Sequence, residues 1–167
     1  MISVILALAI AAQTSDSARQ ARYERVLNHA TDALDRLRGA TAGFRADLPS
    51  ASTDLVLQRA ARVRGSCSDA AAAVSAVDSL LAQGPYRSNA QRQQTELRSG
   101  GAELRRALTR CEREWNARQH RTADVAADSL RAWGPYRTSR LDVASGRYVA
   151  VMREFMKQAG LKKPAAS

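Results

Sequence analysis

The residues with the most definite chemistry in this chain are its two cysteines, Cys67 and Cys111. Their midpoint falls at position 89, beside a Gly84-Pro85 pair able to end a helix. In an antiparallel helical hairpin, positions equidistant from the turn lie opposite each other, so the two thiols are expected to meet as a disulfide. An even cysteine count in an exported chain carries the same expectation. Neither cysteine belongs to a C-x-x-C or C-x-x-C-H motif, which argues against thiol catalysis and covalent haem attachment.

The histidines offer less. His29 and His120 stand alone, outside any H-E-x-x-H, E-x-x-H or Cys/His spacing, so no metal site is expected. A non-covalent haem would need His29 with Met152 or Met156. Taking Leu27 and Leu34 as heptad position a places His29 at c, facing solvent, with Met152 at e and Met156 at b. No cofactor is expected on that phase. Phosphate-binding loops and nucleophile elbows are absent, and Glu112 and Glu114 lie among arginines, as in a solvated ion-pair surface. The pattern is that of a non-enzyme.

Charge is the strongest remaining signal: 26 basic against 16 acidic side chains give a net +10. Only Lys157, Lys162 and Lys163 are lysines, and arginine suits bidentate carboxylate or phosphate contacts. Arg92, Arg106 and Arg113 fall at outward f positions of one helix, flanked by Arg98, Arg105 and Arg110. The last helix adds Arg137, Arg140, Arg147 and Arg153 against only Asp142 and Glu154. Such a stripe is either a solvated face or a site for an anionic envelope polymer, lipid head groups or an acidic protein. Specific nucleic-acid binding is not expected of an exported chain.

A near-exact repeat bears on both architecture and binding. Asp78 to Arg87 (DSLLAQGPYR) returns fifty residues later as Asp128 to Arg137 (DSLRAWGPYR), identical at eight of ten positions. Both copies run into Gly-Pro and are expected to stop a helix there, with Ser88/Gln91 and Ser139/Asp142 capping the next. Each tyrosine would lid a bundle end, and each arginine would pair with its repeated aspartate (Arg87 with Asp78, Arg137 with Asp128). Alternatively, Tyr86-Arg87 and Tyr136-Arg137 form a duplicated docking tip.

Four amphipathic elements position these groups. The first seam runs Leu27, Ala30, Leu34, Leu37, Thr41, Phe44, Leu48, stepping four and three residues alternately, until Pro49-Ser50 ends it and supplies a new N-cap. The second runs Val56, Ala60, Val63, Cys67, Ala70, Val74, Val77, Leu81; the third runs Leu97, Gly101, Leu104, Leu108, Cys111, Trp115. The third loses its phase through Arg118 to Arg121, so it kinks or restarts between Asn116 and Thr122, with Val125, Ala126, Leu130 and Trp133 apolar in a restarted segment. The last seam is Leu141, Ala144, Tyr148, Val151, Phe155, stopping at Gly160 and leaving a frayed basic tail over 161–167. With 45% hydrophobic residues and 5% aromatics, this predicts an all-α, antiparallel up-down bundle of about four helices over 12–160. A long hairpin completing its core as a homodimer is the alternative.

Residues Met1 to Ala12 (MISVILALAIAA) read as a signal peptide over 1–11, with cleavage near Ala11/Ala12. The run is too short to span a bilayer. Taken together, the chain is expected to be an exported protein, periplasmic or secreted: a non-enzymatic bundle that binds or scaffolds. A chaperone-like holdase is second, and a small-ligand or haem bundle third. A holdase needs exposed seam residues, whereas a closed bundle buries them.

Overall fold

The computed structural model describes residues 2–162 apart from 49, 84, 85, 87 and 118–120, with side chains from 16 onward except 47. It contains α1 (Ile2–Asp47), α2 (Thr53–Leu81), a short 3-10 turn (Ser88–Ala90), α3 (Gln91–Asn116) and α4 (Ala123–Ala159). The described residues include no strand, and none of their helices is long and apolar enough to cross a membrane. The expected leader stands on the sequence alone, because Met1 and the side chains up to 15 lie outside the described residues.

The seams close into one core. Every seam residue named for α1, α2 and α3 is buried. Each helix packs on its neighbour in chain order, α4 closes against α1, and α2 meets α4 across the centre. This is the up-down bundle that a repeat of alternating threes and fours dictates. Aromatics fill both ends. Tyr23 packs on Tyr86 at 4.4 Å and on Phe155 at 6.4 Å; at the other end Phe44 meets Trp115 edge-on at 5.3 Å, and Trp115 meets Trp133 at 5.3 Å. Between them, Thr41 and Arg45 of α1 both bond the Asp142 carboxylate of α4.

The helix break expected between 116 and 122 is present, but the second Gly-Pro does not stop a helix. Pro135 lies inside α4, which runs unbroken from Ala123 to Ala159. The physical reason lies in the residues downstream of each copy. After the first, the next positions on the face of Leu80 include exposed Ser88 and Gln91, so nothing apolar rewards continuation. After the second, the equivalent positions Leu130, Gly134, Thr138 and Leu141 form an uninterrupted buried stripe. Burial along that stripe opposes the ~3 kcal/mol that an interior proline costs. Thr138 Oγ1 also donates to the carbonyls of Gly134 (2.9 Å) and Pro135 (3.0 Å), in the turn that follows the proline. The expected number of helices, four, therefore stands, with the last boundary moved from 134–139 to 117–122.

Several caps move as well. Ser52, not Ser50, caps α2, its hydroxyl accepting from the Leu55 N–H at 3.3 Å. Ser88 does not cap α3; it opens the 3-10 turn, and Ala90 precedes the helix without a side-chain cap. Ser139 lies within α4, and its expected partner Asp142 is held by α1 instead. The end of α2 is satisfied by a residue that no sequence pattern singles out. Buried Gln94 donates to the Leu81 carbonyl and accepts from the Tyr86 N–H, both at 3.2 Å. Gly160 stops α4 as expected, in the left-handed conformation at φ 69°.

The tail is tighter than expected at its start. Leu161 is buried, and the Lys162 N–H donates to Glu24 while its carbonyl accepts from Asn28. The bonds from Gln20 and then from the Lys162 N–H hold the Glu24 carboxyl below its usual range. Residues 163–167 are outside the described set.

Candidate binding groove

Cys67 and Cys111 face each other between α2 and α3, with sulfurs 2.09 Å apart and α-carbons 6.4 Å apart. That is disulfide distance. The bridge lies beneath a larger feature, because Cys111 also lines a half-open groove of about 850 Å³ between α3 and α4. Leu104, Ala107, Leu141, Ala144, Tyr148 and Val151 supply an apolar floor. Ala144 and Val151 were expected in a closed seam and are only half-buried, because α3 and α4 part here. Two of the exposed large apolar residues, Tyr136 at 62% and Val143 at 54%, stand on the α4 side of this groove.

Five arginines rim the groove: Arg106 and Arg110 from α3, and Arg137, Arg140 and Arg147 from α4. Glu96, Glu103 and Glu114 interrupt them, all from α3. The α4 wall is thus wholly basic and the α3 wall mixed. Arg137 reaches Glu114 at 3.5 Å across the gap, while Arg140 lies over the Tyr136 ring at 5.6 Å and donates to its hydroxyl. Arg106, Arg110 and Arg147 make no ion pair among the described residues.

At the inner edge of the groove lies a polar cluster that no motif or spacing in the chain predicts. Asp78 of α2 pairs with Arg105 of α3 at 2.8 Å, and Tyr148 of α4 approaches the same point. Gly101 makes this possible: a β-carbon there would stand 2.6 Å from Asp78 Oδ1 and 3.2 Å from the Tyr148 hydroxyl. Burial raises the Asp78 carboxyl above its usual range, with Arg105 and then Arg98 opposing the shift. Burial first, and the Asp78 charge second, push the Tyr148 phenol well above the ordinary tyrosine range. Its hydroxyl has no hydrogen-bond partner among the described residues.

The residues singled out from sequence are dispersed. Arg92, Arg106 and Arg113 are all exposed, as their f positions require, but only Arg106 reaches the groove. Arg92 pairs with Glu96 at 3.1 Å, and Arg105 turns inward to Asp78. The two copies of the repeat separate completely. Tyr86 caps the bundle end against Tyr23, with the Arg19 guanidinium 5.6 Å from its ring. Tyr136, expected to lid an end, stands exposed on the side of α4. Arg87 lies outside the described residues, so its pairing with Asp78 is not observed. Arg137 does not pair with Asp128, which bonds Arg131 at 2.8 Å. His29 is exposed as its phase implied, whereas Met152 and Met156, placed at flanking and outward positions, are both core residues. The reason is that α4 buries a wider face than its heptad seam, against α1 and α2 together. His120 is outside the described residues.

Among the described residues, no three of His, Cys, Asp or Glu converge as a metal set. No protein-family model matches the chain, and neither a curated protein nor a solved structure does so.

Proposed function

We propose that this chain is an exported binding module, non-enzymatic, whose α3/α4 groove takes an anionic partner. The groove itself is the observation that carries this: an apolar floor rimmed by five arginines, four of them without an ion-pair partner among the described residues. Exposed cations with no intramolecular partner attract anions over about a Debye length, and concavity concentrates their field. Export is supported by the apolar start of the chain and by cysteines at bonding distance, which suits an oxidising compartment. Burial of the seams of α1, α2 and α3 weighs against a holdase with an open apolar face.

The test is association of the folded, oxidised protein with polyglutamate and with anionic vesicles across a salt series. Arg106→Gln, Arg140→Gln and Arg147→Gln together are expected to weaken binding and flatten its salt dependence, while leaving thermal unfolding unchanged. Equal binding by the folded triple variant would refute the groove as the anion site.

A further inference from the structure

Resting on that reading, we infer that the partner of the groove is a protein segment: an amphipathic helix with one apolar face and an acidic flank, laid along α3 and α4. Three features of the groove converge on this occupant.

The first is shape. From Tyr136 to Val151 the α4 wall runs about 22 Å at 1.5 Å per residue, room for a helix of about four turns. A layer of lipid head groups would meet the arginine tips but leave the floor at Leu104, Ala107 and Ala144 unfilled. A helix inserts side chains into such a floor.

The second is apolar exposure. Tyr136 and Val143 lie one heptad apart on α4, and both are more than half exposed. They continue the apolar floor up the wall, so the complement must itself be apolar along one stripe. A uniformly charged polymer has no such stripe.

The third is charge asymmetry. Arg137, Arg140 and Arg147 make the α4 wall basic throughout, while Glu96 and Glu103 punctuate the α3 wall. A partner helix therefore carries its carboxylates on the flank facing α4, with neutral or mixed residues facing α3. A second copy of this chain does not fit, because its net charge of +10 opposes self-association through a basic groove.

The experiment uses the full folded, oxidised chain and a labelled synthetic peptide of about 15 residues, with leucines at a and d and glutamates along one flank. Its control is a scrambled peptide of the same composition, which keeps the charge and loses the stripe. Fluorescence anisotropy is expected to show the amphipathic peptide binding at least about tenfold more tightly than the scramble. Arg140→Glu with Arg147→Glu is expected to remove about tenfold or more of that affinity, since each exposed ion pair contributes modestly and two are reversed. Val143→Asp, at an exposed position that spares the core, is expected to cut the preference for the amphipathic peptide. Arg92→Gln with Arg113→Gln, outside the groove, is expected to leave it intact. Equal binding of peptide and scramble, alongside binding to polyglutamate or anionic vesicles, would overturn the helix and leave the anion site standing. A preference that survives both groove variants would place the peptide elsewhere and also overturn it. Failure to bind any anionic probe would overturn the broader proposal as well.

Discussion

Gly134→Ala is a sharp test of the packing that carries α4 past its proline. Alanine in a helix interior normally gains about 1 kcal/mol over glycine, so local propensity alone makes the change stabilising. The tertiary structure reverses the sign. A β-carbon on Gly134 would stand 2.5 Å from Phe44 Cε1 and 2.8 Å from Cζ, well inside van der Waals contact. Phe44 cannot swing clear, because it is 1% exposed and its ring is held edge-on by Trp115, which packs in turn on Trp133. Overpacking of a filled core costs about 1–3 kcal/mol, and a rigid aromatic neighbour points to the upper part of that range. Net of the propensity gain, destabilisation by about 1–2 kcal/mol is expected. Urea unfolding of the oxidised protein, followed by far-UV circular dichroism, measures it as a lower midpoint at unchanged slope. Gly39→Ala, Gly65→Ala and Gly146→Ala are the controls, since a β-carbon at each meets nothing within 4 Å. These should be neutral or stabilising by up to about 1 kcal/mol. Phe44→Leu shortens the obstructing ring, so Gly134→Ala should cost less in that background, a coupling read from the double-mutant cycle. If Gly134→Ala behaves like the three controls, the close approach of α1 and α4 is wrong, and with it the account of why the helix continues.

Cleaving the Cys67–Cys111 bridge, which closes a separation of 44 residues, should lower stability by up to about 4 kcal/mol on the chain-entropy account. Thiol titration showing two free cysteines in protein purified under oxidising conditions would refute the bond. Asp78 has its folded-state pKa raised by burial, so its contribution to stability is fully present below the ordinary carboxylate value of 3.8 and is lost as pH rises through the raised value. The stability of the wild type relative to Asp78→Asn should therefore fall as pH rises from below 3.8 through the raised value, and a rise in that direction would contradict the assignment. Tyr148→Phe removes a buried hydroxyl without a partner among the described residues and keeps the ring on the groove floor. It should be neutral or stabilising by about 1 kcal/mol, and a clear loss on chemical denaturation would mean that the hydroxyl is hydrogen-bonded.

The seams of α1, α2 and α3 were legible in the chain itself. The alternating spacing from Leu27 to Leu48 and from Val56 to Leu81 leaves one face of each helix apolar, and packing those faces together buries them all at once. Cys67 on the second of these seams and Cys111 on the seam of α3 lie at equal distance from a turn, so their meeting followed from the same geometry. Gly160 was legible because the left-handed conformation it adopts is set locally. Contacts between helices settled the points on which local preference is silent. Gly84-Pro85 and Gly134-Pro135 carry the same backbone preference, yet α2 ends at Leu81, ahead of the first, while α4 runs through the second, where Leu141 and Thr138 extend the buried stripe beyond it. A cost of about 3 kcal/mol is large for a peptide and small beside the burial of a helix face. The groove was hidden for a related reason. A heptad pattern says which residues turn inward but not how far two helices stand apart. That spacing is fixed by side chains from other elements, and it leaves Ala144 and Val151 half-open beneath Tyr136 and Val143. Asp78, Arg105 and Tyr148 come from three helices, and the absence of a side chain at Gly101 lets them converge. Convergence of that kind is a property of packing, to which no single helix period gives access.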